Sequence, residues 1–189
     1  INQLYKKKIK PFKSKYFFLN EKISQKNSKE KKKVLIAPTW HTNFYELDLH
    51  KKLKKILDEA GIDYILRPHP MSFKKEEISI NELKQNNINF DINNELDFKK
   101  YSHLITDWSG IFVEYSIINK KFSILINTKQ KIRNINSNKF LDLPMEILAR
   151  DILGNSLEVD NIQDIKKFNY QNNIDENDII SKFYNENFF

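Results

Sequence analysis

From Val34 onward, apolar positions fall into two alternating rhythms. Short β-branched runs (Val34-Leu35-Ile36-Ala37, residues 62–67, residues 102–106 and Phe122-Ser123-Ile124-Leu125-Ile126) read as buried strands. Between the first two, Leu49, Leu53, Ile56 and Leu57 recur at helical spacing through a lysine-rich segment, and Gly61 supplies a helix stop. The pattern then predicts a polar helix near 74–86, the apolar patch Ile88-Asn89-Phe90, and a short helix near 95–101. A further helix begins at Ser109, with Ile111, Phe112, Tyr115 and Ile118 on its apolar face. After a Lys- and Asn-rich loop, Pro144 opens a helix to about Ile152 that stops before Gly154. Two more helical stretches follow, near 161–168 and 175–187.

Strands alternating with helices at this spacing argue for an α/β fold, a Rossmann-like parallel sheet with helices on both faces. Its crossovers should be right-handed. At 189 residues the chain suits one well-cored domain, and no internal repeat divides it. The reading assigns residues 34–189 to this domain and residues 1–33 to a basic arm or linker.

Charge sharpens that division. Residues 1–33 carry twelve lysines against Glu21 and Glu30, a charge of +10, which leaves −3 on the remainder of a chain whose total is +7. A basic arm on a slightly acidic body suits anchorage near anionic lipid or nucleic acid, and it equally suits a solvated linker. Tyr16, Phe17 and Phe18 within it favour an interfacial or domain-packing role.

Several classes fall away. With no cysteine there is no disulfide framework, thiolate metal site or cysteine nucleophile. Four histidines without metal-ligand spacing argue against a structural zinc. No apolar run approaches the roughly 18 residues of a membrane span, and no secretory signal pattern opens the sequence. A chain that begins at Ile1 reads as a piece of a longer protein.

Candidate chemistry gathers where strands stop. Open parallel sheets bind ligands just outside the carboxyl ends of their strands. The second strand ends in Arg67-Pro68-His69-Pro70, where two prolines fix the backbone around His69. A rigid Arg-His pair can neutralise a diphosphate, and histidine exchanges protons near neutral pH. The strand 102–106 ends in Thr106-Asp107-Trp108-Ser109-Gly110, a turn that opens a helix. Backbone amides at a helix start favour phosphate, Gly110 permits close approach, and Ser109 can donate its hydroxyl. Taken alone, Ser109 reads first as an ordinary N-cap. Pro38-Thr39-Trp40-His41 puts a third loop on the same edge, with His41 a candidate contact or a plain surface histidine. Glu146 and Arg150, four apart on one helix, read as an ion pair or as a carboxylate available to ribose hydroxyls.

Ala37-Pro38-Thr39-Trp40, Arg67-Pro68-His69-Pro70 and Ile105-Thr106-Asp107-Trp108-Ser109-Gly110, with Glu114 and Tyr115, together resemble the CDP-glycerol glycerophosphotransferase family. These are the enzymes of teichoic-acid and capsular polyol-phosphate biosynthesis in the bacterial cell envelope. The resemblance runs from about Val34 to about Gly154. It implies the C-terminal, donor-binding half of a two-domain GT-B enzyme, the N-terminal acceptor domain lying outside this chain. It further implies transfer of glycerol phosphate, or a related polyol phosphate, from CDP-glycerol or a similar donor to a hydroxyl of a lipid-linked or polymeric acceptor, releasing CMP. His69 would correspond to the family's catalytic histidine near the pyrophosphate. Arg67, Thr106, Asp107, Ser109, Gly110, His41 and Glu146 would be substrate-binding. No Asp-rich metal motif is present, so neither an obligatory metal nor a cofactor is expected. The implied location is cytoplasmic, peripheral at the inner membrane face, and the isolated fragment is expected to be inactive.

The chain departs from the family pattern where Asp-Tyr-Ser-Ser is replaced by Asp107-Trp108-Ser109-Gly110, where Glu114 stands for a later Asp, and at His41, where Arg is frequent. Another CDP-alcohol, or a nucleotide-sugar used by a GT-B glycosyltransferase, stays open as donor. A non-catalytic basic module on anionic lipid or nucleic acid is the alternative outside enzymes. The arm lacks the Gly-aromatic and Arg-rich features of RNA modules, so nucleic acid is not the expected partner.

Overall fold

The computed structural model describes residues 17–24, 33–93, 95–130, 145–167 and 174–188. Five parallel strands form one sheet: β1 (Lys33–Ile36), β2 (Tyr64–Leu66), β3 (Tyr101–Thr106), β4 (Ser123–Asn127) and β5 (Gly154–Glu158), in the order β2-β1-β3-β4-β5. The helices are α1 (Phe17–Ser24), α2 (Leu49–Glu59), α3 (Pro70–Lys74), α4 (Ile80–Gln85), α5 (Ile111–Asn119), α6 (Met145–Leu153) and α7 (Ile174–Phe188), with 3-10 turns at Phe98–Lys100 and Val159–Lys167. The expected α/β class with a Rossmann-like parallel sheet is what the chain adopts.

The period of two along each strand sorts side chains onto two cores. Val34, Ile36, Ile105, Ile124 and Ile126 face α2, whose Leu49, Leu53, Ile56 and Leu57 are buried against them. Leu35, Leu104 and Leu125 face the other way, onto α5, α6 and α7. Successive strand residues thus serve opposite layers, which makes the strand runs continuously apolar. Helix α5 is buried on almost every side, not only on its predicted face: Phe112, Val113, Tyr115, Ser116, Ile117, Ile118 and Asn119 are all buried. Its polar members are satisfied internally, Ser116 by Ser123 and the Leu153 carbonyl, Asn119 by the Phe98 carbonyl.

Four elements differ from the pattern-based expectation. The polar helix near 74–86 is two helices, because Glu76 turns left-handed at φ 58° and Ser79 caps a fresh start by accepting the Glu82 N–H. The segment near 95–101 forms only the 3-10 turn. Gly154 is not merely a helix stop: it opens β5, where a Cβ would collide with the Leu125 side chain. Helix α1 lies inside the segment assigned to the basic arm, yet Leu19 is fully buried among the α5 and α7 core residues. Lys99, itself buried, donates to the Ile23 carbonyl and ties that helix down. Among the described residues no helix is long and apolar enough to cross a membrane.

Candidate functional site

The strand order places β1 between β2 and β3, so the chain leaves β1 toward one edge and later departs from β3 toward the other. The carboxyl ends of β1 and β3 therefore flank the topological switch point, where an open α/β sheet holds its ligand. All three sequence motifs follow strands that end at this edge.

Asp107 knits the edge together. Its carboxylate is fully buried and accepts the Thr39 N–H at 2.7 Å, the Thr42 hydroxyl at 2.9 Å and the Thr128 hydroxyl at 3.3 Å. One side chain thus joins the loops after β1, β3 and β4. Burial pushes its carboxyl above the ordinary carboxylate range, against the pull of the three donors. Thr106 beside it is also fully buried, and its hydroxyl donates to the Ala37 carbonyl at 2.6 Å. Both residues shape the edge from below.

Trp108 and Arg150 hold the next turn. The indole N–H donates to the Thr128 carbonyl at 2.7 Å. The Arg150 guanidinium lies 4.0 Å over the Trp108 ring and donates to the Asp107 carbonyl at 2.6 Å and to Asn127 Oδ1 at 2.8 Å. With Asp107 to Trp108 fastened in this way, α5 starts after Gly110, whose backbone occupies the N-cap, and Ser109 is not the capping residue. Ser109 is half-buried and Gly110 exposed at that helix start.

The second strand's motif forms a rigid shoulder. His69 caps α3, its Nδ1 accepting the Met71 N–H at 3.1 Å with Pro70 as the first helical residue. With Nδ1 as acceptor, the neutral ring carries its proton on Nε2. Arg67 is paired with Asp91 at 3.2 Å, which fixes the guanidinium at the strand end. His41 sits left-handed at φ 65° and donates its N–H to Glu77. Trp40 stands between the two histidines, its ring 5.9 Å from that of His41 and 6.1 Å from that of His69. The fold therefore brings Trp40, from the loop after β1, against His69, from the loop after β2.

Beside this edge lies a cavity of about 570 Å³ lined by His41, Thr42, Tyr45, Glu77 and Lys129 among others, in the size range of small-molecule sites. The side chain of Glu146 lies outside the described residues, and so does Pro144. Arg150, noticed in the sequence only as a partner for Glu146, and Thr42 and Thr128, not noticed at all, prove to organise the site. Their sequence signal is absent because each acts on a residue at least 21 positions away.

Known proteins bear on this arrangement in three ways. Two solved forms of the wall teichoic acid polymerase TagF are similar to this chain. One, a histidine-to-asparagine variant soaked with CDPG, is 22% identical over 89% of this chain and 41% of that chain, with a TM-score of 0.47. The other, a histidine-to-alanine variant, is 21% identical over 89% of this chain and 42% of that chain, also at 0.47. The chain thus spans about two fifths of the length of those structures. No curated protein gives a significant match. The sequence model for CDP-Glycerol:Poly(glycerophosphate) glycerophosphotransferase matches residues 4–140, which takes in the first helix, the switch point and all three edge motifs. On that match the chain belongs to the CDP-glycerol:poly(glycerophosphate) glycerophosphotransferase family.

Proposed function

We propose that the carboxyl edge of this sheet is the donor-binding half of a polyol-phosphate transferase. The donor is a CDP-linked alcohol such as CDP-glycerol, and the acceptor is a hydroxyl of a lipid-linked or polymeric cell-surface chain. The observation that carries this reading is the convergence of the three family motifs on the carboxyl edge of one parallel sheet, with the motifs after β1 and β3 fastened to each other through the Asp107 carboxylate.

The amides at the start of α5, with Ser109 and Gly110, receive the diphosphate, since a helix start offers unpaired N–H groups and partial positive charge. Arg67 and the Nε2–H of His69 add donors from the β2 side. The acceptor oxygen attacks the β-phosphorus, the bond from that phosphorus to the bridging oxygen breaks, and CMP departs with the bond's electrons. The acceptor's proton passes to water, CMP departs as a phosphate anion, and His69, whose Nε2 carries the ring's proton, donates a hydrogen bond to the phosphoryl oxygens. Charge grows on the phosphoryl oxygens during this displacement, where pre-positioned donors act most strongly. Thr106 and Asp107 support this surface. His41 and the cavity beside it suit the ribose and base, and Glu146 would stand on α6 across the edge.

Residues 1–33, at +10, supply attraction to an anionic inner membrane face where a lipid-linked acceptor resides. The division into this arm and a donor domain over 34–189 is part of the proposal, with α1 as the point where the arm is fastened.

The test is thermal stabilisation of the chain by titrated CDP-glycerol, CDP, CMP, UDP and GDP, because a ligand bound only by the native state raises its stability by mass action. A shift confined to the cytidine nucleotides and lost in Ser109→Ala supports the reading. A shift with UDP or GDP instead moves the chemistry to sugar transfer, and no shift with any of them removes the donor site.

A further inference from the structure

Where α2 begins, beside the cavity-lining Tyr45, three side chains from two separate segments converge. Asp48 precedes α2, His50 is the second residue of α2, and Glu82 lies in α4. One oxygen or nitrogen atom from each lies within 4.8 Å of the others. We propose that Asp48, His50 and Glu82 form a binding site for a divalent transition-metal ion of the zinc class, which clips the start of α2 to α4.

His50 carries the argument. Its ring is 1% exposed, and neither ring nitrogen has a hydrogen-bond partner. Buried polar groups are almost always satisfied, so a buried imidazole with two unmet nitrogens calls for a ligand. Its Nε2 edge is aimed at the carboxylates, 3.5 Å from Glu82 Oε1. Zinc–ligand bonds of about 2.0–2.2 Å in tetrahedral geometry place neighbouring ligand atoms roughly 3.3–3.5 Å apart, so this pair is already spaced for an ion. Asp48 and Glu82 are half exposed or nearly so, and they can close the remaining distance.

Lys51 marks where the charge belongs. Its ammonium lies 2.7 Å from Asp48 Oδ1 and 3.4 Å from Glu82 Oε1, bridging the two acids. It sits on a long, flexible stem, 38% exposed, and can withdraw to water. A divalent ion would balance both carboxylates at once and use a nitrogen of His50 that the ammonium leaves unmet. One imidazole with two carboxylates suits zinc, cobalt or nickel and disfavours a soft ion such as Cu(I). The sequence argued against a structural zinc because these ligands have no local spacing: position 82 meets positions 48 and 50 only in the folded chain.

The test is titration of the chelator-treated 189-residue chain with Zn²⁺ in a calorimeter, in parallel with its melting temperature. The expected result is one ion per chain and a raised melting temperature. Glu82→Gln and Asp48→Asn, both at partly exposed positions, should each weaken binding by about tenfold or more, since lesser changes around metal ligands already cost that much. Lys51→Gln should tighten it, because a competing cation is gone. No stoichiometric binding overturns the proposal. So does binding unchanged in Glu82→Gln and Asp48→Asn, which would belong to another ligand set such as His41 and His69. Binding weakened in Lys51→Gln would overturn the displacement step.

Discussion

The guanidinium of Arg150 lies over the ring of Trp108, 4.0 Å from its centre, while one of its nitrogens donates to the Asp107 carbonyl. A residue of α6 thereby holds the turn between β3 and α5 from above, as Asp107 holds it from below. Ser109 and the α5 amides follow directly on that turn.

Arg150→Lys should loosen the turn, because an ammonium cannot stack and make both hydrogen bonds at once. A drop of about tenfold in cytidine-nucleotide affinity is expected, from a lost stacked cation and one charged hydrogen bond of roughly 1–2 kcal/mol together. Calorimetry on the two proteins checks it, and equal affinities would leave Arg150 a role in stability alone.

Asp107 ties folding to pH with a definite sign. Its folded-state pKa is raised by burial above the ordinary value. As pH rises from the unfolded pKa to the folded one, the native state holds more protons than the unfolded state, so this group's contribution to stability declines across that window and levels off above it. Asp107→Asn keeps an acceptor for the Thr39 N–H and two hydroxyl partners, and it removes the titration. The variant's melting temperature relative to the parent should therefore climb as pH rises above about 4. A difference that is flat or falls with pH would mean that the three donors outweigh burial.

His69→Asn separates capping from chemistry. Asparagine is a strong N-cap, so α3 should keep its start, and stability should stay within about 0.5 kcal/mol. Turnover of the full-length protein should nevertheless fall by about 10²-fold or more, the usual worth of a donor aimed at developing charge. Undiminished turnover would take His69 out of the mechanism.

Leu19 tests where the folded unit begins. Leu19→Ala removes a fully buried side chain and should cost about 2–5 kcal/mol. Lys→Glu changes elsewhere in residues 1–33 should leave stability nearly unchanged while lowering retention on anionic vesicles. Denaturant melts and vesicle sedimentation read the two effects, and a neutral Leu19→Ala would return α1 to the linker.

Much of the fold was legible because its strands are buried on both faces and so appear as dense apolar runs. The exceptions share a cause. Strand β5 pairs with β4 along its whole length, yet of its five residues only Leu157 is buried, so no apolar run announces it. Helix α1 is anchored by Leu19 within a lysine-rich stretch whose charge hides it. The break between α3 and α4 turns on a single left-handed residue, Glu76, and on the cap at Ser79, neither of which disturbs the polar pattern.

The candidate site divides in the same way. The strands and the motifs at their ends are written locally, in apolar runs, prolines and a Ser-Gly turn, and these by themselves placed the segments holding His69, Ser109 and Gly110 at the carboxyl ends of strands of one parallel sheet. What the tertiary structure alone decided is which groups remain available there. Asp107 and Thr106 are drawn inward by partners 65 to 69 residues away, and Arg150 is held over Trp108. Hydrogen bonds across such separations depend on the crossing of strands in three dimensions, and a chain read in one dimension holds no periodicity that records them.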